Sequence, residues 1–217
     1  MEIVLLGTGA AVPTLSRQLS STALLRDREL LLFDCGEGTQ IQLQRAQLKP
    51  GKLTRIFISH FHGDHFYGLI GLLTSLQSTG RQVPLDVYGP QGLSEYLSFM
   101  QQLSNFTLGY FVQVHEVDRD ESGEWDMGEY VVTAEELDHR IFVLGFRLEE
   151  KPRPGKFDTG KAEKLGIPEG PARARLQNGE SITLTNGQQV KPAQVLGPER
   201  PGKTVTICLD TKPCQTS

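Results

Sequence analysis

The sequence has few cysteines and no long apolar run, and these two shortages exclude several classes of protein. Three cysteines among 217 residues, an odd number without CxxC spacing, argue against a disulfide framework and fit a reducing compartment. The sequence contains no run of about 18 apolar residues, the length that a membrane-spanning helix needs. Its N-terminus also lacks the basic leader and apolar stretch of a signal peptide. We therefore expect a cytoplasmic protein in which Cys35, Cys208 and Cys214 are structural.

Common nucleotide-binding and nucleophile motifs are also missing. The glycines of Gly7–Gly9 fit neither the dinucleotide fingerprint nor GxxxxGK[ST], so a tight turn is favoured there over a phosphate cradle. No serine or cysteine constellation for covalent catalysis is evident, and short-period repeats are absent. With 38% hydrophobic and 22% charged residues, the chain has the composition of a soluble globular protein, and a single domain is the default expectation.

The histidines, by contrast, are concentrated in one place. Three of the five lie within Ser59–His65, directly after the apolar run Ile56–Ile58. One such histidine alone would be an ordinary satisfied or solvated side chain, but three together with a carboxylate suit zinc, and an incomplete protein shell leaves room for a bridging water. The spacing therefore predicts a metal-binding loop at a strand end that can serve two ions. Its candidate ligands are His60, His62, Asp64 and His65.

Two further candidates lie at strand borders elsewhere in the chain. His139 stands between two apolar runs, and Asp210 follows the apolar segment Val205–Leu209. Strand-end loops at one rim of a sheet can converge, although His139 could be a hydrogen-bonded loop residue and Asp210 a capping residue. Asp34 either supports the metal site or caps a helix, and His115, inside an alternating strand pattern, is interpreted as structural.

The hydrophobic pattern predicts strands first, then strands interleaved with helices. This order is typical of a layered α/β protein whose sheets are covered by helices. Strands are predicted at Glu2–Leu6, Thr22–Leu25, Leu30–Phe33, Leu85–Tyr88, Val112–Val117 and Tyr130–Thr133, and helices at about 39–46, Leu69–Leu76 and Leu93–Leu103. The second and third strands are joined by a short polar segment, which indicates a hairpin.

These motifs carry a family resemblance over essentially the whole chain. The pattern His60-x-His62-x-Asp64-His65, with His139 and Asp210 at these distances, resembles the metallo-β-lactamase superfamily. Within it, four segments narrow the similarity: Leu6–Thr14, Phe33–Thr39, Lys156–Asp158 and Leu165–Pro171. They resemble the ribonuclease Z family, endonucleases that remove 3′ trailers from precursor transfer RNA. The last of the four segments separates the family from hydrolases of lactams or thioesters.

The resemblance implies an αββα sandwich with two zinc ions at one edge of the paired sheets. One zinc would be held by His60, His62 and His139, the other by Asp64 and His65, and Asp210 would bridge both. Asp64 would also accept the proton of the attacking water, while the two ions clamp the phosphate. Precursor transfer RNA would be the substrate, and the protein would form a homodimer.

The chain departs from the family pattern after Asp210. It ends seven residues later, without the His-Glu-Ala-Thr sequence or the later histidine that the family pattern contains, and Leu209 stands where the pattern usually has glycine. We interpret it as a fragment rather than a degenerate protein, with an incomplete second half of the sandwich and a second zinc site that lacks one histidine. Alternatives are a small-molecule phosphodiesterase of the same superfamily and an RNA-binding fragment that has lost catalysis.

Residues 151–203, which we call the basic segment, differ from the rest in composition. They hold ten Lys and Arg against five Asp and Glu, whereas the remainder holds twelve against twenty-one. Seven prolines and eight glycines favour a protruding arm with little core, one helix at Thr159–Leu165 and a hairpin around Asn186-Gly187. It could be a solvated insertion; the resemblance favours an exosite that grips transfer RNA by its phosphates. The candidate contacts are Lys151, Arg153, Lys156, Gly170, Pro171, Arg173 and Arg175.

Overall fold

A computed structural model describes residues 1–213, and the chain divides into two compact units. The first unit contains Met1–Asp126, Val132–Leu148 and the chain from Val205 onward, and the second unit contains Met127–Val131 and Glu149–Thr204. No helix in the described part is long and apolar enough to span a bilayer. Cys214, predicted to be structural, lies outside the described residues.

The larger sheet of the first unit has six strands, paired in chain order. The strands are β1 (Glu2–Gly7), β2 (Ser21–Arg26), β3 (Glu29–Phe33), β4 (Leu53–Phe57), β5 (Leu85–Pro90) and β6 (Val112–Val117). β1, β2 and β3 pair antiparallel, so the predicted hairpin is confirmed, whereas β3 to β6 pair in parallel. Because parallel strands end at the same edge of a sheet, the segments after β3 and β4, which carry Asp34 and the histidine loop, emerge side by side.

Helices cover one face of this sheet. They are α1 (Thr39–Arg45), α2 (Gly63–Phe66), α3 (Gly68–Ser78) and α4 (Leu93–Leu103), with a single 3₁₀ turn at Pro50–Lys52. The buried leucines of α3 are Leu69, Leu72, Leu73 and Leu76, which have the spacing of one apolar helix face. They pack in one core with Leu43 of α1, Leu97 of α4 and strand residues such as Ile56 and Val87. α4 and β6 have the bounds that the sequence pattern predicts.

A smaller sheet packs on the opposite face of the larger one. The remaining strands of the chain are β7 (Gly123–Asp126), β8 (Tyr130–Leu137), β9 (Val143–Glu150), β10 (Ile182–Thr183), β11 (Gln189–Val190) and β12 (Thr204–Ile207). Four of them form a sheet in the order β12-β9-β8-β7. Phe146 of β9 lies against Phe33 and Phe57, with ring centroids 6.0 and 5.3 Å apart. Two face-to-face sheets with helices outside the larger one are three layers of the predicted αββα sandwich.

The second unit has a core of its own. It contains α5 (Thr159–Lys164), α6 (Pro171–Gln177), the antiparallel pair β10 and β11, and a 3₁₀ turn at Pro192–Gln194. The predicted helix and hairpin are present, but the expectation of little core is wrong, because six apolar residues without any sequence period converge in three dimensions. These are Ala162, Ile167, Leu176, Ile182, Val190 and Val195, all buried. α6 begins where Gly170 adopts φ 97° and Pro171 occupies the first helical turn, a position suited to proline.

The basic segment begins and ends as a paired stem within the second unit. The Glu150 amide donates to the Lys203 carbonyl, and the backbones of Arg153 and Arg200 exchange two hydrogen bonds of 2.9 Å. A side chain at Gly202 would collide with the Glu150 carbonyl, so the close approach of the two strands of this stem requires glycine there.

Candidate metal centre

The histidine loop is held in place by backbone hydrogen bonds from both sheets. Beyond β4 the Ile58 amide donates to the Tyr88 carbonyl of β5 at 2.8 Å, and the Ser59 carbonyl accepts from the Leu144 amide of β9 at 2.9 Å. His62 is the N-cap of α2. The loop therefore crosses the edge where the two sheets of the first unit meet, and α2 carries the last part of the motif.

Four of the predicted ligands converge on one point. The ligand atoms of His60, His62, His139 and Asp210 all lie within 4.8 Å of one another; His60 is buried and the other three are half-buried. His139 follows β8 and Asp210 follows β12, and the Lys212 amide, which donates to the Asp138 carbonyl at 2.9 Å, ties these two loops together. The convergence that strand-end positions suggested is therefore present in the structure.

The short distances within this group show which ring nitrogen of each histidine faces the other ligands. Nε2 of His60 and Nε2 of His139 lie 2.9 and 3.3 Å from Nδ1 of His62, and Nε2 of His60 lies 4.0 Å from Oδ2 of Asp210. Ring nitrogens this close need a shared proton or cation between them, because their lone pairs otherwise repel. Three imidazoles and one carboxylate form a donor set that suits zinc, so the residues present fit a metal ion.

Asp64 and His65 stand beside this group and share Asp210 with it. Nε2 of His65 lies 3.7 Å from Oδ2 of Asp64 and 3.6 Å from Oδ2 of Asp210. Oδ2 of Asp64 also accepts a hydrogen bond of 2.7 Å from the Ala11 amide. Oδ2 of Asp210 thus faces both His60 and His65, the arrangement that a bridging carboxylate requires.

The surroundings favour the metal-binding protonation states of His60, His62 and Asp64, but they favour the protonated form of His65. Burial, reinforced by His65, His62 and His139, lowers the pKa of His60 to about 3, and burial likewise lowers the pKa of His62. Burial alone would raise the pKa of Asp64, but the Ala11 amide and His65 outweigh it and the net shift is downward. Burial opposes a charge on His65, yet Asp34 raises its pKa above the ordinary value. His60 and His62 are therefore neutral and Asp64 is ionised at neutral pH.

Asp34 contacts a predicted metal ligand and does not cap a helix. Its buried carboxylate accepts from the Ser59 amide at 2.7 Å and lies 2.5 Å from Nδ1 of His65, whereas the N-cap of α1 is Gly38. Asp34 adopts φ 59°, a conformation uncommon for residues other than glycine and found at functional sites. Of the two alternatives for Asp34, the structure favours support of the candidate site, through the contact with His65, a predicted ligand.

Cys35, Cys208 and His115, interpreted from the sequence as structural, lie outside the four-residue group. Burial raises the pKa of the Cys35 thiol to about 12, which fits the predicted structural role, whereas Cys208 is exposed. Nε2 of His115 lies 3.1 Å from Asp86, and its ring stacks on Tyr88. The sequence interpretation overlooked Ala11, whose contribution is a backbone amide without side-chain signature, and Ser59, which directly precedes the motif.

The predicted RNA-contacting residues all lie in the second unit. Arg153, Arg173 and Arg175 pair with Glu150, Glu169 and Glu180, and the Lys151 amide donates to the Glu129 carbonyl. The side chain of Arg173 is only 15% exposed and donates to the Ile167 carbonyl, so it positions the start of α6. Lys156 and Lys161 line an open cavity of about 420 Å³.

Comparison with known proteins identifies the family. A family profile described as "Anti-Pycsar protein Apyc1" matches residues 1–146, a range that stops before the basic segment and Asp210. The Ribonuclease Z of Gloeothece citriformis (strain PCC 7424) is 46% identical over 100% of this chain and 68% of its own length. The chain belongs to the ribonuclease Z family. The Ribonuclease Z of Acaryochloris marina (strain MBIC 11017) is also 46% identical, over 99% of this chain and 68% of its own length.

Solved structures agree with this membership. Human tRNase Z, short form, is 40% identical with a TM-score of 0.65, over 70% of this chain and 66% of that one. The metallo-β-lactamase fold protein YhfI from Bacillus subtilis, 19% identical with a TM-score of 0.54 over 67% of this chain and 56% of that one, shows the fold alone. The predicted ribonuclease Z family and metallo-β-lactamase fold are confirmed. The chain spans about two thirds of the length of its ribonuclease Z relatives.

Proposed function

We propose that this ribonuclease Z family member is a metal-dependent endonuclease that removes 3′ trailers from precursor transfer RNA. The observation that carries the proposal is the convergence of His60, His62, His139 and Asp210 within 4.8 Å in a chain 46% identical to proteins named Ribonuclease Z. A hydrolytic reaction at phosphate suits a metal centre, because bound ions activate water and the reaction then needs no protein nucleophile.

The metal centre in this proposal holds two zinc ions. His60, His62 and His139 would hold one, Asp64 and His65 would hold the other, and Asp210 would serve both, in keeping with the 3.6 and 4.0 Å separations of Asp210 from His65 and His60. Bound there, the ions would supply Lewis-acid chemistry that polarises a phosphate and activates water. Zinc is favoured over magnesium or calcium because imidazole outnumbers carboxylate among the donors.

Asp64 is the proposed proton acceptor for the attacking water. Its low pKa keeps the carboxylate ionised, the form that can take a proton, and the 2.7 Å hydrogen bond from the Ala11 amide fixes one of its oxygens. The loop that follows β1 therefore positions the carboxylate next to His65, 3.7 Å away. This fixed position is what general base catalysis requires.

The second unit is the proposed exosite for transfer RNA. The candidate residues remain Lys151, Arg153, Lys156, Gly170, Pro171, Arg173 and Arg175. The surroundings of five of them indicate two roles, contact with phosphate and shaping of the surface. Lys156 lines the open cavity and the Arg175 side chain is 58% exposed, so both suit phosphate contacts. Arg173, Gly170 and Pro171 form the start of α6 and therefore shape the surface that carries Arg175.

Two further parts of the proposal come from the family resemblance and the cysteine content. The protein works in the cytoplasm, where its cysteines stay reduced, and it assembles as a homodimer. Sedimentation of the purified protein measures the assembly directly, and a mass of one chain at all concentrations would contradict it.

The reaction is tested with a precursor transfer RNA that carries a 3′ trailer, beside the chromogenic diester bis(p-nitrophenyl) phosphate. We expect release of the intact trailer, loss of cleavage when a chelator removes the metal, and recovery with added zinc. His139→Ala should abolish cleavage, because His139 belongs to the four-residue group, whereas the matched variant His115→Ala, altered at a histidine paired with Asp86, should retain it.

The alternatives give different results in the same assay. A small-molecule phosphodiesterase would hydrolyse the diester and leave the precursor uncut, and an RNA-binding protein without catalysis would bind the precursor and cut neither substrate. Either result would overturn the proposed reaction.

Zinc content should be nearer one ion than two per chain after dialysis. The group of His60, His62, His139 and Asp210 offers four donors within 4.8 Å, whereas its neighbour has Asp64 and His65 and shares Asp210. We therefore expect tighter binding at the four-residue group. Elemental analysis checks this, with His139→Ala expected to lose most of the retained zinc, and two equally retained ions would count against the assignment.

A further inference from the structure

Ser59 connects Asp34 to a metal-binding histidine through its side chain. The residue is buried, and its Oγ lies 2.9 Å from Oδ2 of Asp34 and 2.9 Å from Nδ1 of His60. Its amide also donates to Oδ1 of the same carboxylate at 2.7 Å. One serine thus touches both the buried carboxylate and the most deeply buried ligand of the four-residue group.

The chemistry of these groups sets the direction of each hydrogen bond. Three groups that can donate face the Asp34 carboxyl, namely the Ser59 amide, the Ser59 hydroxyl and Nδ1 of His65, which favours this carboxyl as the acceptor of all three although burial raises its pKa. A serine hydroxyl has one hydrogen and two lone pairs. The Ser59 hydroxyl therefore donates to Oδ2 of Asp34, and a lone pair of its oxygen accepts from Nδ1–H of His60. If the hydroxyl hydrogen pointed towards His60 instead, an oxygen lone pair of Ser59 would face an oxygen of the Asp34 carboxylate, and the two would repel.

This direction determines which nitrogen of His60 is free. With hydrogen on Nδ1, the lone pair of the neutral ring is on Nε2, and Nε2 is the atom that lies 2.9 Å from His62 and 4.0 Å from Asp210. We propose that Ser59 is a positioning residue that fixes His60 in its Nδ1–H tautomer and so aims Nε2 at the metal. The proposal rests on the proposed metal centre, but it is independent of RNA cleavage.

The Asp34 carboxylate also contacts His65 of the neighbouring group directly. Nδ1 of His65 lies 2.5 Å from Oδ2 of Asp34, which leaves Nε2 of His65 to face Asp64 and Asp210. Asp34 therefore orients a histidine of each group, His65 directly and His60 through Ser59. Because both histidines depend on one carboxylate, the two groups are linked by hydrogen bonds as well as by the shared Asp210.

Substitution of Ser59 separates this role from simple packing. Ser59→Ala removes the hydroxyl, and zinc affinity, measured by competition with a chromogenic chelator, should fall on the order of 10- to 100-fold, as for other partners that orient ligands. Ser59→Thr keeps the hydroxyl and should restore the affinity. The control is Ser21→Ala, because Ser21 is equally buried and its hydroxyl donates to the backbone carbonyl of Asp34 at 3.1 Å, away from the histidines.

Nitrogen-15 NMR of the imidazole rings in the unsubstituted protein measures the tautomer directly, so the proposal stays testable even if Ser59→Ala folds poorly. We expect hydrogen on Nδ1 of His60, and its loss from that position in Ser59→Ala. Hydrogen on Nε2 of His60, or a Ser59→Ala affinity equal to that of Ser21→Ala, would overturn the proposal. Normal zinc binding and the expected tautomer in a protein that fails to cut precursor transfer RNA would support Ser59 and refute the proposed reaction.

Discussion

Asp64→Ala is expected to abolish phosphodiester hydrolysis without unfolding the protein. Asp64 is the proposed proton acceptor, and loss of a positioned acid–base group lowers turnover by roughly 10²- to 10⁴-fold. The carboxylate lies at the site edge, 3.7 Å from His65, and outside the apolar core, so its removal should change the thermal unfolding midpoint little. The test is the turnover of the chromogenic diester and of precursor transfer RNA, compared between Asp64→Ala and the unsubstituted protein.

Asp64→Asn distinguishes a proton acceptor from a metal ligand. The amide oxygen can still accept the hydrogen bond from the Ala11 amide, which is 2.7 Å long in this structure, but the amide cannot take up a proton. If zinc content stays normal while turnover falls, Asp64 acts on the proton; if both fall together, it acts through the metal. Asp118→Ala, at an exposed aspartate of the first unit whose side chain accepts from the adjacent Arg119 amide, is the matched control. Normal turnover in Asp64→Ala would show that the catalytic role is wrong.

Elements with a strong hydrophobic period could be predicted from the sequence alone. α4 and β6 have the predicted bounds, and the hairpin of β2 and β3 follows from two apolar runs around a polar turn. β7 could not be found in this way, because Gly123–Asp126 has one apolar side chain, and its strand conformation depends on pairing at the edge of the smaller sheet. Long-range pairing of this kind leaves no local signal.

The core of the second unit was missed for a related reason. Its buried residues run from Ala162 to Val195, separated by glycines, prolines and charged residues, and they share no helix or strand period. α6 did have a local signal, since Gly170-Pro171 is a favourable start for a helix. The sequence interpretation took the same dipeptide only as a family motif.

Ligand spacing was enough to nominate the residues of the candidate site, but their geometry needed the structure. The sequence cannot show that His62 presents Nδ1 while His60 and His139 present Nε2, because ring orientation depends on packing and on hydrogen-bond partners such as Ser59. Nor can it show the contact from Ala11, whose φ of 59° and backbone amide are properties of the folded loop. Both findings concern how ligands are held, which residue type alone does not encode.

Residues 154–199, which make up most of the second unit, should be removable. We expect the shortened protein to lose affinity for transfer RNA and to keep its hydrolysis of the small diester. The backbones of Arg153 and Arg200 are hydrogen-bonded to each other, so residues 154–199 can be replaced by an Asn-Gly turn, which suits a two-residue hairpin loop. This cut removes all six buried residues of the local core together and leaves none of them exposed. We expect the first unit to stay folded, as judged by circular dichroism, and the small diester to be cleaved at the rate of the intact protein.

Binding titrations of precursor transfer RNA at several salt concentrations measure what the cut removes. Affinity decreases with salt, and each phosphate contact contributes roughly 0.7–0.9 to the steepness of log affinity against log salt. If Lys156 and Arg175 each neutralise one phosphate, the cut should make this dependence shallower by about 1.4–1.8. The double variant Lys156→Ala, Arg175→Ala in the intact chain should lose the same slope, because the Arg175 side chain is largely exposed and Lys156 lines an open cavity. Unchanged affinity and slope after the cut would mean that residues 154–199 are a solvated insertion, and loss of diester cleavage would mean that they also serve the metal centre.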